Sequence, residues 1–304
     1  MDSFSPIRRI KFTTKKDLED NYLSKGIPVI VEGALENWAA RTKWSPNYFK
    51  NQYSDIEFNA EVNLREDVPV EQYASDVLRK MTIAQFIDHL QNKSRTSPCY
   101  ISNKSVNRFP NVADDIDFES LVSKKSGQYN QYIWLGSEKT KSSLHFDFFD
   151  NIMCQIYGRK KVYLVNPKDS KSVYQYHDTI QKSKIDIENI DFNLYPKMKR
   201  VNVTTAILKP GEIIFVPKLW WHTFVALDIS ISINLFYGHR ATIKQQIPTL
   251  YSAGTKAWGC FAKDFIYHGL LKKPQTTRLY TQESFGTWYY KQVESFLTNR
   301  IANR

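Results

Sequence analysis

Cysteine, glycine and proline are all scarce in this chain, at three, 11 and 12 residues among 304. Cys99, Cys154 and Cys260 are odd in number and have no paired spacing, which excludes a disulfide framework and points to reduced thiols. Cys154 sits in an apolar run and reads as a small core residue. The shortage of glycine and proline, with no repeat of roughly 20 to 50 residues, excludes collagen-like, solenoid and broadly disordered readings. No stretch approaches the ~18 consecutive apolar residues of a membrane span, and the opening MDSFSPIRRIKF has no signal-peptide core. The expectation is an intracellular protein, cytoplasmic or nuclear, with no membrane partner.

What is abundant is aromatic and apolar side chain, 14% and 42% of the residues, enough for a large packed core. The net charge of +11 is spread over small clusters such as Arg8-Arg9-Ile10-Lys11, Arg159-Lys160-Lys161 and Lys197-Met198-Lys199-Arg200. Such scatter is the mark of solvated surface; a nucleic-acid or acidic-protein partner is the alternative.

The first hundred residues alternate short strands with helices. Thr14 caps a helix through Leu23, Ile27 to Val31 reads as a strand, and Ser45-Pro46 opens a helix carrying Tyr48 and Phe49. Asp55 to Val62 reads as a strand, Thr82 to Leu90 as an amphipathic helix, and Cys99 to Ser102 as a strand. Residues 111 to 127 look like an acidic helix start and a loop. From Tyr132 to Tyr237 strands dominate: Tyr132 to Leu135, Ser143 to Phe148, Ile152 to Tyr157, Lys161 to Val165, Val201 to Leu208, Ile213 to Val216 and Ile229 to Phe236. That is a barrel or sandwich. Helical periodicity returns over Ile243 to Leu271 and Gln282 to Ile301, with Phe285, Trp288, Tyr289 and Phe296 at helical spacing.

Within L-H-F-D-F-F-D-N, residues 144 to 151, a strand would place His145 and Asp147 on one face. Alone this pair is weak, since His-x-Asp recurs by chance. A third ligand appears in K-P-G-E-I-I-F-V-P-K-L-W-W-H-T, where His222 closes an apolar strand. Two imidazoles and one carboxylate on one octahedral face suit non-haem Fe(II) and leave three positions open. Zinc is the alternative, although neither motif places a further Glu or His next to its ligands to activate water. His89, His177, His239 and His268 lie on helices or in polar segments and compete poorly.

At these residues the sequence resembles the JmjC and cupin-8 group of Fe(II)- and 2-oxoglutarate-dependent oxygenases, in particular the compact protein hydroxylases typified by the asparaginyl hydroxylase that inhibits hypoxia-inducible factor. The likeness runs from about residue 25 to 240. It is carried by G-I-P-V-I-V-E-G at 26 to 33, W-S-P-N-Y-F at 44 to 49, H-F-D-F-F-D-N at 145 to 151, G-R-K-K-V-Y-L-V-N-P at 158 to 167, D-I-E-N-I-D-F-N-L-Y-P at 186 to 196, and P-G-E-I-I-F-V-P-K-L-W-W-H at 210 to 222.

The resemblance implies a mainly β fold with flanking helices: a double-stranded β-helix, or jelly-roll, domain over residues 1–240 and a C-terminal helical segment over 241–304. It implies a dioxygenase with His145, Asp147 and His222 as metal ligands, using Fe(II), O2 and 2-oxoglutarate as cosubstrate. The offset of fifteen residues from the first histidine assigns the distal carboxylate of 2-oxoglutarate to Lys160. Ser142, Tyr100, Asn151 and Asn234 match further cosubstrate positions, while Trp221 reads as packing. Hydroxylation of a protein or peptide side chain is the leading expectation. Oxidation of a tRNA base, N-methyl-lysine demethylation, a small-molecule substrate and a non-enzymatic cupin-like binding protein are the alternatives. A homodimer through the C-terminal helices also follows from the resemblance.

Overall fold

The computed structural model describes residues 4–64, 77–124, 126–274 and 284–302. The chain divides into two compact units. One comprises Met1–Ser142, Phe146–Asn166 and Asn202–Arg240; the other comprises Ser143–His145, Pro167–Val201 and Ala241–Arg304.

The first unit holds β1 (Ser5–Pro6), β2 (Arg9–Lys11), β3 (Val29–Glu32), β4 (Glu57–Glu61), β5 (Leu78–Thr82), β6 (Tyr100–Ser105), β7 (Gln128–Gly136), β8 (Asp150–Tyr157), β9 (Lys160–Val165), β10 (Val203–Leu208), β11 (Ile213–Val216), β12 (Trp221–Ala226) and β13 (Ser230–Gly238). A small sheet runs β1-β10-β9-β12 and a large one runs β2-β3-β11-β8-β13-β7-β6-β4-β5. From β8 onward the chain passes back and forth between the two, and sequence neighbours are seldom sheet neighbours. This winding is the double-stranded β-helix.

Alternation at period two builds the core. Ile30, Met153, Ile214 and Val216 of the large sheet pack with Val162, Leu164, Leu208 and Phe224 of the small one. Their neighbours Val29, Val31, Ile152, Cys154, Ile213 and Phe215 point the other way, into a cluster with Phe49, Phe86, Ile87 and Leu90. Both faces of the central strands are thus buried, so they read in sequence as continuous apolar runs. Phe49 lies on α3 (Pro46–Gln52), whose N-cap Ser45 accepts from Tyr48 N. The other three lie on α4 (Ile83–Gln91), opened by a capping box between Thr82 and Gln85. Before them come α1 (Lys15–Leu18), capped by Thr14 and continued as a π turn through Leu23, and α2 (Ala40–Lys43). The acidic stretch forms 3-10 turns, Val112–Asp115 and Phe118–Ser120, rather than a helix start. Asp115 is drawn inward by bonds from Lys43 Nζ at 2.6 Å, Trp44 Nε1 at 3.0 Å and Tyr48 Oη at 3.0 Å.

Three local expectations are corrected. Residues 143–148 form no continuous strand: His145 makes one isolated bridge, and β8 begins only at Asp150. Here Phe146 and Phe148 turn inward, Phe146 edge-on to Trp221 at 4.8 Å, and the backbone bonds loops instead of a ladder. His222 does not close the preceding strand but stands second in β12, which follows a turn at Pro217 that ends β11. The helix predicted over 243–271 is three pieces.

Those pieces belong to the second unit: α5 (Ile243–Ser252), α6 (Thr255–Asp264) and a π turn, Phe265–Leu270, followed by α7 (Phe285–Ala302). Gly254, at φ +84°, makes the first break. Ile180, Leu250, Ala253, Ala257 and Phe285 form its core, with Trp288 packed against it. The side chain of Phe296 and residues 282–283 lie outside the described residues. Tyr251, Leu270 and Leu271 are exposed at 65, 58 and 53%. Among the described residues no helix is long and apolar enough to cross a membrane.

Candidate metal centre

The segment before β8 and the start of β12 each present a histidine whose ring is fixed in the same way. His145 Nδ1 lies 2.8 Å from the carbonyl of Ser143, and His222 Nδ1 lies 2.9 Å from that of Trp220. A carbonyl only accepts, so each Nδ1 carries the proton and each Nε2 keeps its lone pair for a metal. His222 Nε2 stands 3.5 Å from Asp147 Oδ2. One ligand atom from each of His145, Asp147 and His222 lies within 4.8 Å of the others, the only such group of three among the described residues. Two imidazoles with preset ring orientations and one carboxylate fit Fe(II), a hard-to-borderline ion that accepts mixed nitrogen and oxygen donors.

Backbone bonds hold the ligand segments. His145 bridges to Lys182, and Ser183 N donates to the Leu144 carbonyl at 2.8 Å. Leu219 N donates to the Asp147 carbonyl at 2.8 Å. Ser142 Oγ accepts from Phe224 N at 3.2 Å and lies 3.3 Å from Thr223 Oγ1, beside His222 on β12.

Lys160 opens β9 with its side chain turned into the barrel, and only 2% of it is exposed. Its Nζ donates to Ser232 Oγ at 2.7 Å and sits 5.9 Å from the centre of the Tyr100 ring. Burial pushes its pKa down to about 7, with no acidic group acting against that. Among the described residues a hydroxyl and a ring face hold this buried ammonium, a site that an anion would complete. Its neighbours Arg159 and Lys161 behave otherwise: Arg159 pairs with Asp228 at 2.7 Å, and Lys161 lies over Tyr163.

A second polar chain lies alongside on the same inner face. Trp134 Nε1 donates to Asn234 Oδ1 at 2.8 Å, and Asn234 Nδ2 donates to Asn151 Oδ1 at 3.1 Å. Because the indole can only donate, it fixes the orientation of both amides. The rings of Trp134 and Tyr100 are 5.9 Å apart, joining this chain to Lys160. Burial, and after it the charge of Glu61, raises the Tyr100 phenol well above its ordinary pKa. Gly136, paired with Tyr100 across β6 and β7, makes room for the ring: a Cβ there would collide with Cδ2 and come within 3.0 Å of Cε2. Gly136→Ala is therefore expected to cost about 1–3 kcal/mol in urea denaturation and to displace Tyr100 from Lys160.

Tyr100, Lys160, Asn151 and Asn234 are thus linked on one face, and Ser142 is placed beside the candidate metal ligand His222. Sequence reasoning missed Ser232 and Trp134, which hold the lysine and the amides. The signal was present: in Ser230-Ile231-Ser232-Ile233-Asn234-Leu235 the polar residues alternate strictly with apolar ones. Trp221 is fully buried packing, as expected. The other histidines are engaged elsewhere, His177 with the Ala253 carbonyl, His239 with Ser126, and His268 with Asp264. Burial lowers the pKa of His89.

Residues 15–243 match the family of cupin-like domains. The chain is 27% identical over 244 residues to lysine-specific demethylase 8 of Xenopus tropicalis, covering 78% of this chain and 54% of that protein. It is 28% identical over 235 residues to lysine-specific demethylase JMJ30 of Arabidopsis thaliana, covering 74% and 52%. Over 132 residues it is 29% identical to tRNA wybutosine-synthesizing protein 5 of Danio rerio, covering 43% and 40%. The chain spans about half the length of the curated relatives it matches.

Proposed function

Because the chain belongs to the cupin-like domain family, we propose that it is an Fe(II)- and 2-oxoglutarate-dependent dioxygenase that hydroxylates a protein side chain. The observation that carries this reading is the pairing of a preset His145, Asp147 and His222 group with a buried Lys160 that has no anionic partner among the described residues. His145, Asp147 and His222 would hold Fe(II) on one face. Lys160 would neutralise the distal carboxylate of 2-oxoglutarate, with Tyr100, Ser142, Asn151 and Asn234 lining its place. Bound together, the metal and cosubstrate supply an oxidation in which O2 delivers one oxygen atom to a substrate C–H bond and the other to succinate, with release of CO2. The protein's share is to fix both imidazoles through Ser143 and Trp220, to keep water out with Phe146 and Trp221, and to hold the ammonium of Lys160 in place.

A protein substrate is favoured over RNA by coverage: the relatives named as demethylases align with 78% and 74% of this chain, the tRNA-modifying relative with 43%. Demethylation of N-methyl-lysine is the second reading, since those names speak for it and the oxidation is the same. Hydroxylation ranks first because the sequence motifs resemble those of the compact protein hydroxylases within the JmjC and cupin-8 group. Residues 1–240 would form the catalytic domain, and the exposed Tyr251, Leu270 and Leu271 would let residues 241–304 pair with a second copy.

Anaerobic Fe(II)-protein titrated with 2-oxoglutarate is expected to develop a visible metal-to-ligand charge-transfer band, and in air to form succinate. A metal-loaded protein without the band would place the barrel among binding proteins. With methylated and unmethylated peptide pools, formaldehyde release marks demethylation, and a gain of one oxygen atom without formaldehyde marks hydroxylation.

A further inference from the structure

The turn that joins β11 to β12 is unusual in its third residue. Trp220 N donates to the Pro217 carbonyl at 3.2 Å, which closes a four-residue turn over Pro217, Lys218, Leu219 and Trp220. Leu219 has φ +67°, and Lys218 is not among the residues of positive φ. A positive φ at the third position alone defines a type II turn, where glycine or asparagine is the ordinary occupant. A leucine there is strained, because its Cβ crowds the neighbouring carbonyl.

The turn sits against both of the ligands that the first unit contributes. Leu219 N–H is bonded to the Asp147 carbonyl at 2.8 Å, and the Trp220 carbonyl receives the Nδ1 proton of His222 at 2.9 Å. Type I and type II turns differ by a flip of the central peptide, here the one between Lys218 and Leu219. Without the left-handed residue, that N–H would face away from Asp147. The surroundings hold the strained form: Leu219 is 8% exposed, Lys218 N donates to Asp150 Oδ1 at 3.0 Å, and Lys218 Nζ donates to the His239 carbonyl at 3.2 Å. Strain that is kept by several independent restraints marks a functional position.

We infer that Leu219 is a positioning residue of the metal centre, whose left-handed backbone sets the separation of Asp147 from His222. This rests on the reading of His145, Asp147 and His222 as the metal ligands. Leu219 touches no metal itself; it acts through one N–H on Asp147 and, across the next peptide, through one C=O on His222.

The test compares Leu219→Ile, which keeps the apolar volume but strongly disfavours positive φ, with Leu219→Asn and Leu219→Gly, which accept it. Co(II) affinity is read from the visible d–d bands, and folding of the metal-free protein from circular dichroism and urea denaturation. Leu219→Ile is expected to bind Co(II) about 10- to 100-fold more weakly, the range for losing an outer support of a ligand. Leu219→Asn and Leu219→Gly should stay within about threefold of wild type, although both give up buried apolar surface. Should Leu219→Ile not fold, the Asn and Gly variants still decide the matter. Their loss of Co(II) by about tenfold or more, with the fold intact, would show that the side chain and not the backbone is what counts, and would overturn the inference. Undiminished binding by folded Leu219→Ile would overturn it as well. Wild-type protein that binds no Co(II) would instead sink the ligand assignment, a result distinct from both.

Discussion

Asp147→Ala protein is expected to lose its metal and its turnover while keeping its fold. Asp147 is the one anionic donor in the group, and its Oδ2 stands 3.5 Å from His222 Nε2. Removing it leaves two imidazoles, a donor pair with no charge to offset that of the cation. The loss in Fe(II) or Co(II) affinity should exceed the roughly 100-fold upper range for outer-shell changes, because a ligand itself is gone. The fold has little reason to follow, since the segment is held by its backbone: the Asp147 carbonyl still accepts from Leu219 N. Equilibrium dialysis with metal analysis, beside a thermal melt of the metal-free protein, makes the check. Stoichiometric metal retained in Asp147→Ala would move the metal site elsewhere.

Lys160→Met should show opposite effects on ligand binding and on stability. The buried ammonium has its pKa pushed down to about 7 by burial, against 10.5 for an ordinary lysine. Between those values the unfolded chain holds the extra proton and the folded one does not, so the stability of the unliganded protein rises with pH across this window. Below about 7 both states are charged and the full cost of burial is felt. Methionine of similar length removes that cost, so unliganded Lys160→Met should be more stable than wild type at pH 7 and lack the lysine's contribution to the rise. Binding of 2-oxoglutarate should suffer by about 2–5 kcal/mol, some thirty- to several-thousand-fold, as when one partner of a buried charge pair is truncated. A bound carboxylate favours the charged lysine, so wild-type affinity should also weaken as pH climbs above about 7. Urea denaturation from pH 6 to 10 and calorimetry with 2-oxoglutarate test both halves; unchanged cosubstrate affinity in Lys160→Met would end its assignment.

The architecture was legible because strands buried on both faces read as short continuous apolar runs closed off by turn residues, as in Ile213 to Val216 after Pro210-Gly211. The helix starts were legible because Ser45, Thr82 and Thr14 are capping residues, and each does cap. The grouping of His145, Asp147 and His222 could be read from spacing, though for a reason that was only half right. His145 and Asp147 share a side because they are two residues apart in extended chain, but that chain is not a strand. What failed to show was set by tertiary structure. Pro217 hides the boundary before β12 inside one apolar run, and Lys218-Leu219 carries none of the residues that announce a turn. Ser232, a small hydroxyl among isoleucines, looks like filler until Lys160 is found bonded to it.

The excursion between β9 and β10 has a consequence for how such a protein can diverge. It leaves the small sheet at Val165 and returns at Val203, and these two residues are direct partners across the ladder. A segment anchored on a single rung can be lengthened, shortened or grafted from a cousin at little entropic penalty. Yet the same segment supplies Lys182 and Ser183, which grip the backbone at His145 and Leu144. Exchanging it would therefore also exchange the backbone partners of His145 and Leu144. A change of this segment and a change in the backing of His145 would then be inherited as one linked trait rather than tuned one at a time.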